Sequence, residues 1–243
     1  MVELIAEPFD SGLWKKRVSR LAMSSALPTT QELRLALDTD QSDIIYCTIP
    51  CSFPMMEVLE TAGFHLMTIR NTYALSKDAR IEQRPLTNAF RLCSPSDFVA
   101  SDQEIQEMAI VLSDTSRYHH DRLIPPKDAL DLYVTWIRNS LYHGYANDSF
   151  LILHEGRLVG LVTLKVKDGR GSIDLIGVLP VHQGSGLGSY LLCQAIRTFQ
   201  ASGIQDIVVV TEGENIQANA FYQRKGFVLQ DVALVYHTHP TYA

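Results

Sequence analysis

The chain has 243 residues, 46% hydrophobic and 20% charged, with a net charge of −6. That size and apolar content are ample for a buried core in one large domain or two small ones, and the acidic balance excludes nucleic acid as a partner because it supplies no basic face. The first ten residues carry Glu3, Glu7 and Asp10 and no base, and no later apolar run approaches about eighteen residues, so neither an export signal nor a membrane span is expected and the chain reads as cytoplasmic.

The earliest elements emerge from an internal repeat. Asp43-Ile44-Ile45-Tyr46-Cys47-Thr48 reads like Asp206-Ile207-Val208-Val209-Val210-Thr211, an acid followed by mostly β-branched or apolar residues and then threonine. The same offset of 163 carries Gly63-Phe64 onto Gly226-Phe227, Ile69 onto Val232 and Tyr73 onto Tyr236 without a gap. Each copy reads strand, helix, Gly-Phe, strand, the glycine closing the helix in a left-handed cap. Residues 1–80 are therefore expected to form a truncated, degenerate copy of the C-terminal fold and 81–243 the complete unit, with the polar run 76–85 as the connection.

In the second unit, 90–92 reads as a short strand, with Ser96 or Asp97 as caps for the helix that follows. Apolar residues at 105, 108, 109 and 112 share one helical face over 102–112. A polar, aromatic loop over 113–126 precedes a helix over 128–141, marked by Leu132, Trp136 and Leu141. Strands at 150–154, 158–166 and 172–178 follow, joined by turns at 155–157 and 167–171. A helix at 186–201, a strand at 207–211, a helix at 217–224 and a strand at 228–237 complete a mixed α/β (α+β) order. Cys47, Cys51, Cys93 and Cys193 suit neither a zinc ribbon nor a disulfide framework. Cys47 and Cys193 read as packing residues, Cys193 against the sheet, and no metal site is predicted.

Between the strand ending at Val178 and the next helix lies Pro180-Val181-His182-Gln183-Gly184-Ser185-Gly186-Leu187-Gly188-Ser189. Glycines in such a turn permit positive φ, so backbone N–H groups converge on an anion at the positive end of the helix dipole. The turn lacks the Lys-Ser/Thr of a magnesium-nucleotide loop and the spacing of a dinucleotide fingerprint.

Gln183-Gly184-Ser185-Gly186-Leu187-Gly188 matches the Gln/Arg-x-x-Gly-x-Gly/Ala signature of GNAT acyltransferases, which wrap the pyrophosphate of acetyl-CoA. The preceding strand through Val178 and the stretch from Asn215 through Tyr222 to Gly226-Phe227 have that superfamily's form, so residues 90–237 resemble a GNAT unit. Ser116-Arg117-Tyr118-His119-His120-Asp121, Ile124-Pro125 and Tyr133-x-x-Trp136-Ile137 resemble the dTDP-4-amino-4,6-dideoxygalactose (dTDP-fucosamine) N-acetyltransferases, which also carry a partial GNAT copy at the N-terminus. One position departs: Phe221 precedes Tyr222 where that family has arginine.

The resemblance implies acetyl-CoA as co-substrate, held by Ile176 and Val178 through the backbone, by Gln183, Gly184, Ser185, Gly186, Leu187, Gly188 and Ser189, and by Asn215. It implies Tyr222 as the acid that protonates the departing thiolate, with packing as the alternative role, and a helix-capping role as the alternative for Asn215. Arg117, Tyr118, His119, His120 and Asp121 are the expected substrate residues. His119, His120, Asp121, His182 and Glu214 are candidate bases. The N-terminal copy has Arg-Leu-Ala-Met-Ser-Ser at 20–25 in place of the glycine turn and Leu59 in place of Tyr222, so it is expected to bind no coenzyme. The expected activity is direct acetylation of a small-molecule amine, a sugar nucleotide, with a homodimer as the candidate assembly. Acetylation of a protein amine or polyamine, and a non-catalytic acyl-CoA sensor, are the alternatives.

Overall fold

A computed structural model of the chain describes residues 2–23, 28–52, 54–80, 82 and 85–240. In chain order they form β1 (Val2–Ala6), α1 (Pro8–Trp14), β2 (Val18–Met23), α2 (Thr30–Thr39), β3 (Ile44–Pro50), α3 (Met56–Thr61), β4 (His65–Leu75), β5 (Phe90–Cys93), α4 (Asp102–Ser113), α5 (Arg117–His120), α6 (Pro126–Tyr142), β6 (Asp148–His154), β7 (Arg157–Lys167), β8 (Arg170–Val178), a 3₁₀ turn (Pro180–His182), α7 (Leu187–Ala201), β9 (Ile207–Glu212), α8 (Ile216–Arg224) and β10 (Phe227–Thr238). Ser24 and Ser25 of the 20–25 stretch, and Ile81, Gln83 and Arg84 of the expected connection, lie outside the described residues. Among the described residues no helix is long and apolar enough to cross a membrane.

The strands join one ten-stranded sheet in the order β1-β2-β3-β10-β4-β9-β8-β7-β6-β5. The elements related by the sequence offset interleave: β4 lies between β9 and β10, and β10 lies between β3 and β4. The two last strands run antiparallel, and the offset-related residues Arg70 and Ala233 face each other directly in the register. A local pseudo-twofold therefore passes through that pair, and each region supplies a strand to the other's part of the sheet.

Helices cover both faces because each carries an apolar stripe. α4 and α6 pack Ile105, Met108, Leu132 and Ile137 onto Leu151, Leu161 and Leu175 of the sheet. α7 lays Leu191, Leu192, Ile196 and Phe199 against Ile152, Val162, Ile173 and Val209. α2 and α3 bury Leu33, Leu37 and Leu59 with Ile45, Ile49 and Tyr236.

Two local expectations need correction. The cap of α4 is Ser101, whose Oγ accepts from Glu104 N–H while the Glu104 carboxylate accepts from Ser101 N–H, a reciprocal box. Ser96 and Asp97 instead close a turn with Ser94. The expected loop over 113–126 also contains α5, a single turn nucleated where the Ser116 side chain accepts from His119 N–H. Cys47 is buried in β3, as expected. Cys193 is buried too, but its thiol donates to the Glu82 carbonyl at 3.4 Å, so the connection covers it rather than the sheet.

Candidate active site

β8 and β9 run parallel but pair only from Gly171↔Ile207 to Ile173↔Val209, after which they separate. Leu175 N–H donates to Thr163 Oγ1 and Leu179 N–H to the Val159 carbonyl, both on the β7 side. Because peptide groups alternate along a strand, those of Ile176 and Val178 turn into the gap. The Val178 carbonyl is already engaged there, accepting from Gln183 Nε2 at 3.0 Å. Gln183 thereby pins the glycine turn to the end of β8.

Gly184 and Gly186 both adopt left-handed backbone, at φ +76° and +90°. Among the described residues, no atom beyond their immediate chain neighbours lies within 4 Å of where their Cβ atoms would stand. Gly186 starts α7 with no side-chain cap, so the first N–H groups of the helix open toward the cleft with no cap to satisfy them. The Ser185 hydroxyl folds back onto the His182 carbonyl. The two glycines line a cleft of about 1210 Å³ together with Ile176, Val178, Gln183, Leu187, Gly188, Ser189, Asn215, Phe221 and Tyr222, while Ser185 does not line it.

Tyr222, on α8, is buried against Tyr73, Phe221 and Phe227, yet its hydroxyl makes no hydrogen bond among the described residues. Burial pushes the phenol up, so it keeps its proton well above neutral pH. Asn215 caps α8, its Oδ1 accepting from Ala218 N–H at 3.0 Å, while its amide donates to Thr115 Oγ1. Both residues also line a second, smaller pocket of about 350 Å³, so the two spaces meet at Tyr222, Asn215 and Ile176.

The second pocket contains charged residues that motif reading missed. Asp174 on β8 accepts from Trp136 Nε1 at 2.9 Å, and Lys165 Nζ lies 3.9 Å from the same carboxylate oxygen. Burial nevertheless raises its pKa. On the opposite wall Glu212 ends β9; burial raises it too, against the field of Arg117 and a hydrogen bond from Thr68. Arg70 on β4 lines the same pocket and lies directly across the register from Glu212. An acid inside the apolar run Ile173-Asp174-Leu175-Ile176 was the available signal for Asp174. Nothing local marked Arg70, because its place depends on the strand exchange.

The stretch 117–121 divides. Arg117 and Tyr118 line the second pocket, with Arg117 donating to Tyr118 Oη at 2.6 Å and lying 4.6 Å over the Tyr46 ring. His119 and His120 are exposed and line neither space. Asp121 is buried, its Oδ2 accepting from His237 Nδ1 and His239 Nε2 at 2.8 Å each. Burial works to raise Asp121, but those bonds and the Leu123 N–H outweigh it and hold the carboxyl far below its ordinary range. Burial drives His237 down to about 4, so this imidazole is neutral near pH 7. Asp121 thus ties α5 to the end of β10 and does not reach the pockets. His182 and Glu214 line the larger cleft, His182 packed 4.9 Å from the His154 ring and Glu214 accepting from Thr68 Oγ1.

The Acetyltransferase (GNAT) family profile matches residues 112–227. The spore coat polysaccharide biosynthesis protein SpsD of Bacillus subtilis is 22% identical over 248 residues, which is 96% of this chain and 83% of that protein. N-alpha-acetyltransferase 30 of Schizosaccharomyces pombe is 30% identical over 106 residues, 42% of this chain and 71% of that protein. A mycothiol acetyltransferase of Beutenbergia cavernae is 36% identical over 94 residues, 38% of this chain and only 30% of that protein. Among solved structures, a GCN5-related N-acetyltransferase from Sphaerobacter thermophilus superposes with a TM-score of 0.64 at 12% identity, over 98% of this chain and 76% of that one. A tandem GNAT protein from the clavulanic acid biosynthesis pathway gives 0.61 at 12% identity, over 92% and 75%. The glycine turn, the splayed strands and these relationships agree: the chain belongs to the GNAT family and is an acetyltransferase.

Proposed function

We propose that this acetyltransferase moves the acetyl group of acetyl-CoA directly to the amine of a small acceptor, a nucleotide-linked amino sugar. The observation that carries the reading is the meeting of a coenzyme-sized cleft with a second pocket at Tyr222, whose hydroxyl makes no hydrogen bond among the described residues. The chain's residues fit the coenzyme. Gly184 and Gly186 leave open the space an anion needs beside the uncapped start of α7, and the gap-facing peptide groups of Ile176 and Val178 can pair with an extended amide chain. Residues 183–189 would hold the pyrophosphate, and Asn215 would fix α8 beside the arm. Residues 1–80 are, in the same reading, the truncated copy and 81–243 the coenzyme-binding unit.

When bound, the thioester supplies the acetyl group and a thiolate leaving group. A gap-facing N–H of β8 orients its carbonyl. Asp174 takes the proton released by the amine as the C–N bond forms, its affinity for that proton strengthened by burial. Tyr222 Oη gives its proton to sulfur as the C–S bond breaks and recovers one from solvent. Cys193, covered by the connection, takes no part.

The name of the Bacillus subtilis relative, a polysaccharide biosynthesis protein, favours a sugar acceptor. The match to N-alpha-acetyltransferase 30 favours a second reading, a protein N-terminus. A screen of amino-sugar nucleotides and N-terminal peptides with acetyl-CoA, followed by thiol release, separates them. Turnover on a sugar nucleotide supports the first, turnover on peptides alone replaces it with the second, and coenzyme binding without thiol release from any amine overturns both.

A further inference from the structure

Arg70 stands where the fold has no need of a guanidinium. Its offset-related counterpart, directly opposite it on the pseudo-twofold, is the small, buried Ala233, so the backbone position tolerates alanine. Arg70 is half-buried on the pocket wall, and its side chain makes neither a hydrogen bond nor an ion pair among the described residues. Burial lowers its pKa, as expected for a cation with incomplete compensation. Arg117 on α5 lines the same pocket, held between the Tyr46 and Tyr118 rings with one N–H on Tyr118 and no carboxylate ion pair among the described residues.

Within the pocket these two cations are opposed by Glu212 alone, since Asp174 across the gap is matched by Trp136 and Lys165. Asp10 and Asp231 act on the guanidiniums from outside the pocket. The two walls therefore differ. The β8 wall carries Asp174, the proposed proton acceptor, and the wall of β4, β9 and α5 carries two guanidiniums that form no ion pair among the described residues. Planar guanidinium forks suit phosphate oxygens.

We propose that Arg70 and Arg117 form an anion seat for a phosphate ester on the acceptor, so that the N-terminal region, through the strand it lends to the sheet, determines acceptor specificity. This rests on the acetyltransferase reading and narrows it to acceptors carrying an amine and a phosphate on opposite sides of the pocket. The phosphate can belong to a nucleoside diphosphate or to a sugar monophosphate.

The test uses the full chain saturated with coenzyme A, so that the larger cleft is filled, titrated by calorimetry with dTDP in one arm and glucosamine 1-phosphate in the other. The wild type is expected to bind at least one of them. Arg70→Gln should weaken that binding about 10- to 100-fold and Arg70→Lys should restore part of it, with coenzyme affinity unchanged. Binding of dTDP alone identifies the nucleotide as the source of the phosphate, and binding of the sugar phosphate identifies the monophosphate. Failure of both to bind, or equal binding by Arg70→Gln, overturns the proposal. Thiol release with an uncharged amine at a KM indifferent to Arg70→Gln would leave the acetyltransferase reading intact and remove only the anion seat. Arg70-dependent dTDP binding with no thiol release from any amine would do the reverse.

Discussion

The strand-helix-strand series β3-α3-β4 and its counterpart β9-α8-β10 share a sequence pattern but differ where ligands would sit. Both keep the left-handed glycine before the last strand, Gly63 at φ +90° and Gly226 at +84°. Both keep the phenylalanine after it, Phe64 and Phe227, in the core. At the position of Tyr222 the first has Leu59, fully buried in an apolar cluster. The helices that precede them differ as well. α2 starts at Thr29, whose side chain and Glu32 satisfy the first N–H groups in a reciprocal box, whereas α7 starts at bare Gly186. The features common to both are those that chain geometry demands, and the features restricted to one are a helix start with no side-chain cap and a hydroxyl with no hydrogen bond among the described residues. Where the N-terminal series is expected to bind no coenzyme, the protein itself satisfies its helix start.

The largest expected effect would break the comparison at its chemical position. Tyr222→Phe should lower kcat about 10²–10⁴-fold while leaving acetyl-CoA affinity intact, since it removes a hydroxyl and keeps the ring packing. Near-full turnover with chemistry rate-limiting would make Tyr222 a packing residue like Leu59. Asp174→Asn, which retains an acceptor for Trp136, should cost a comparable factor. It should also abolish an acid limb in kcat/KM that lies above the ordinary aspartate value of 3.8, because the raised carboxyl is protonated first as pH falls. A pH profile unchanged by the substitution would assign the proton to another group.

Next in size, Leu59→Ala should lose about 2–5 kcal/mol in urea denaturation through the cavity it leaves, without affecting the coenzyme dissociation constant. A binding defect in the folded variant would show that the N-terminal series does more than support. Gly186→Val should weaken acetyl-CoA binding more than about tenfold, a loss of at least about 1.4 kcal/mol. Its side chain would occupy the space left for the ligand and its backbone would be strained at positive φ. Unchanged affinity by calorimetry in the folded variant would refute this placement; the wild-type chain should bind one coenzyme, and two would mean the N-terminal copy binds as well. The smallest change is Thr29→Ala, about 1 kcal/mol of stability with kinetics untouched. Any rise in acetyl-CoA KM there would contradict the contrast between a protein-satisfied helix start and a ligand-satisfied one.

Local rules were enough for most of the C-terminal elements, because alternation, helical stripes and glycine turns act over a few residues. The strand at 172–178, the helix after the glycine turn and the Gly-Phe before β10 were all legible in this way. So was the repeat, whose offset aligns β3, α3 and β4 with β9, α8 and β10. Capping was less legible, since Ser94, Ser96 and Asp97 compete with Ser101 on composition alone and only the position of Glu104 decides between them. Tertiary structure alone determined the pocket. Arg70 meets Glu212 and Arg117 because β4 inserts between β9 and β10, a pairing between segments 142 residues apart at Arg70 and Glu212. Asp121, adjacent in sequence to the candidate histidines, is drawn away to His237 and His239 at the end of β10, the strand that pairs with β4. Sequence pattern specifies which face of an element is apolar, whereas the partner of that face is set by long-range strand order, and the charges of this site follow the partner.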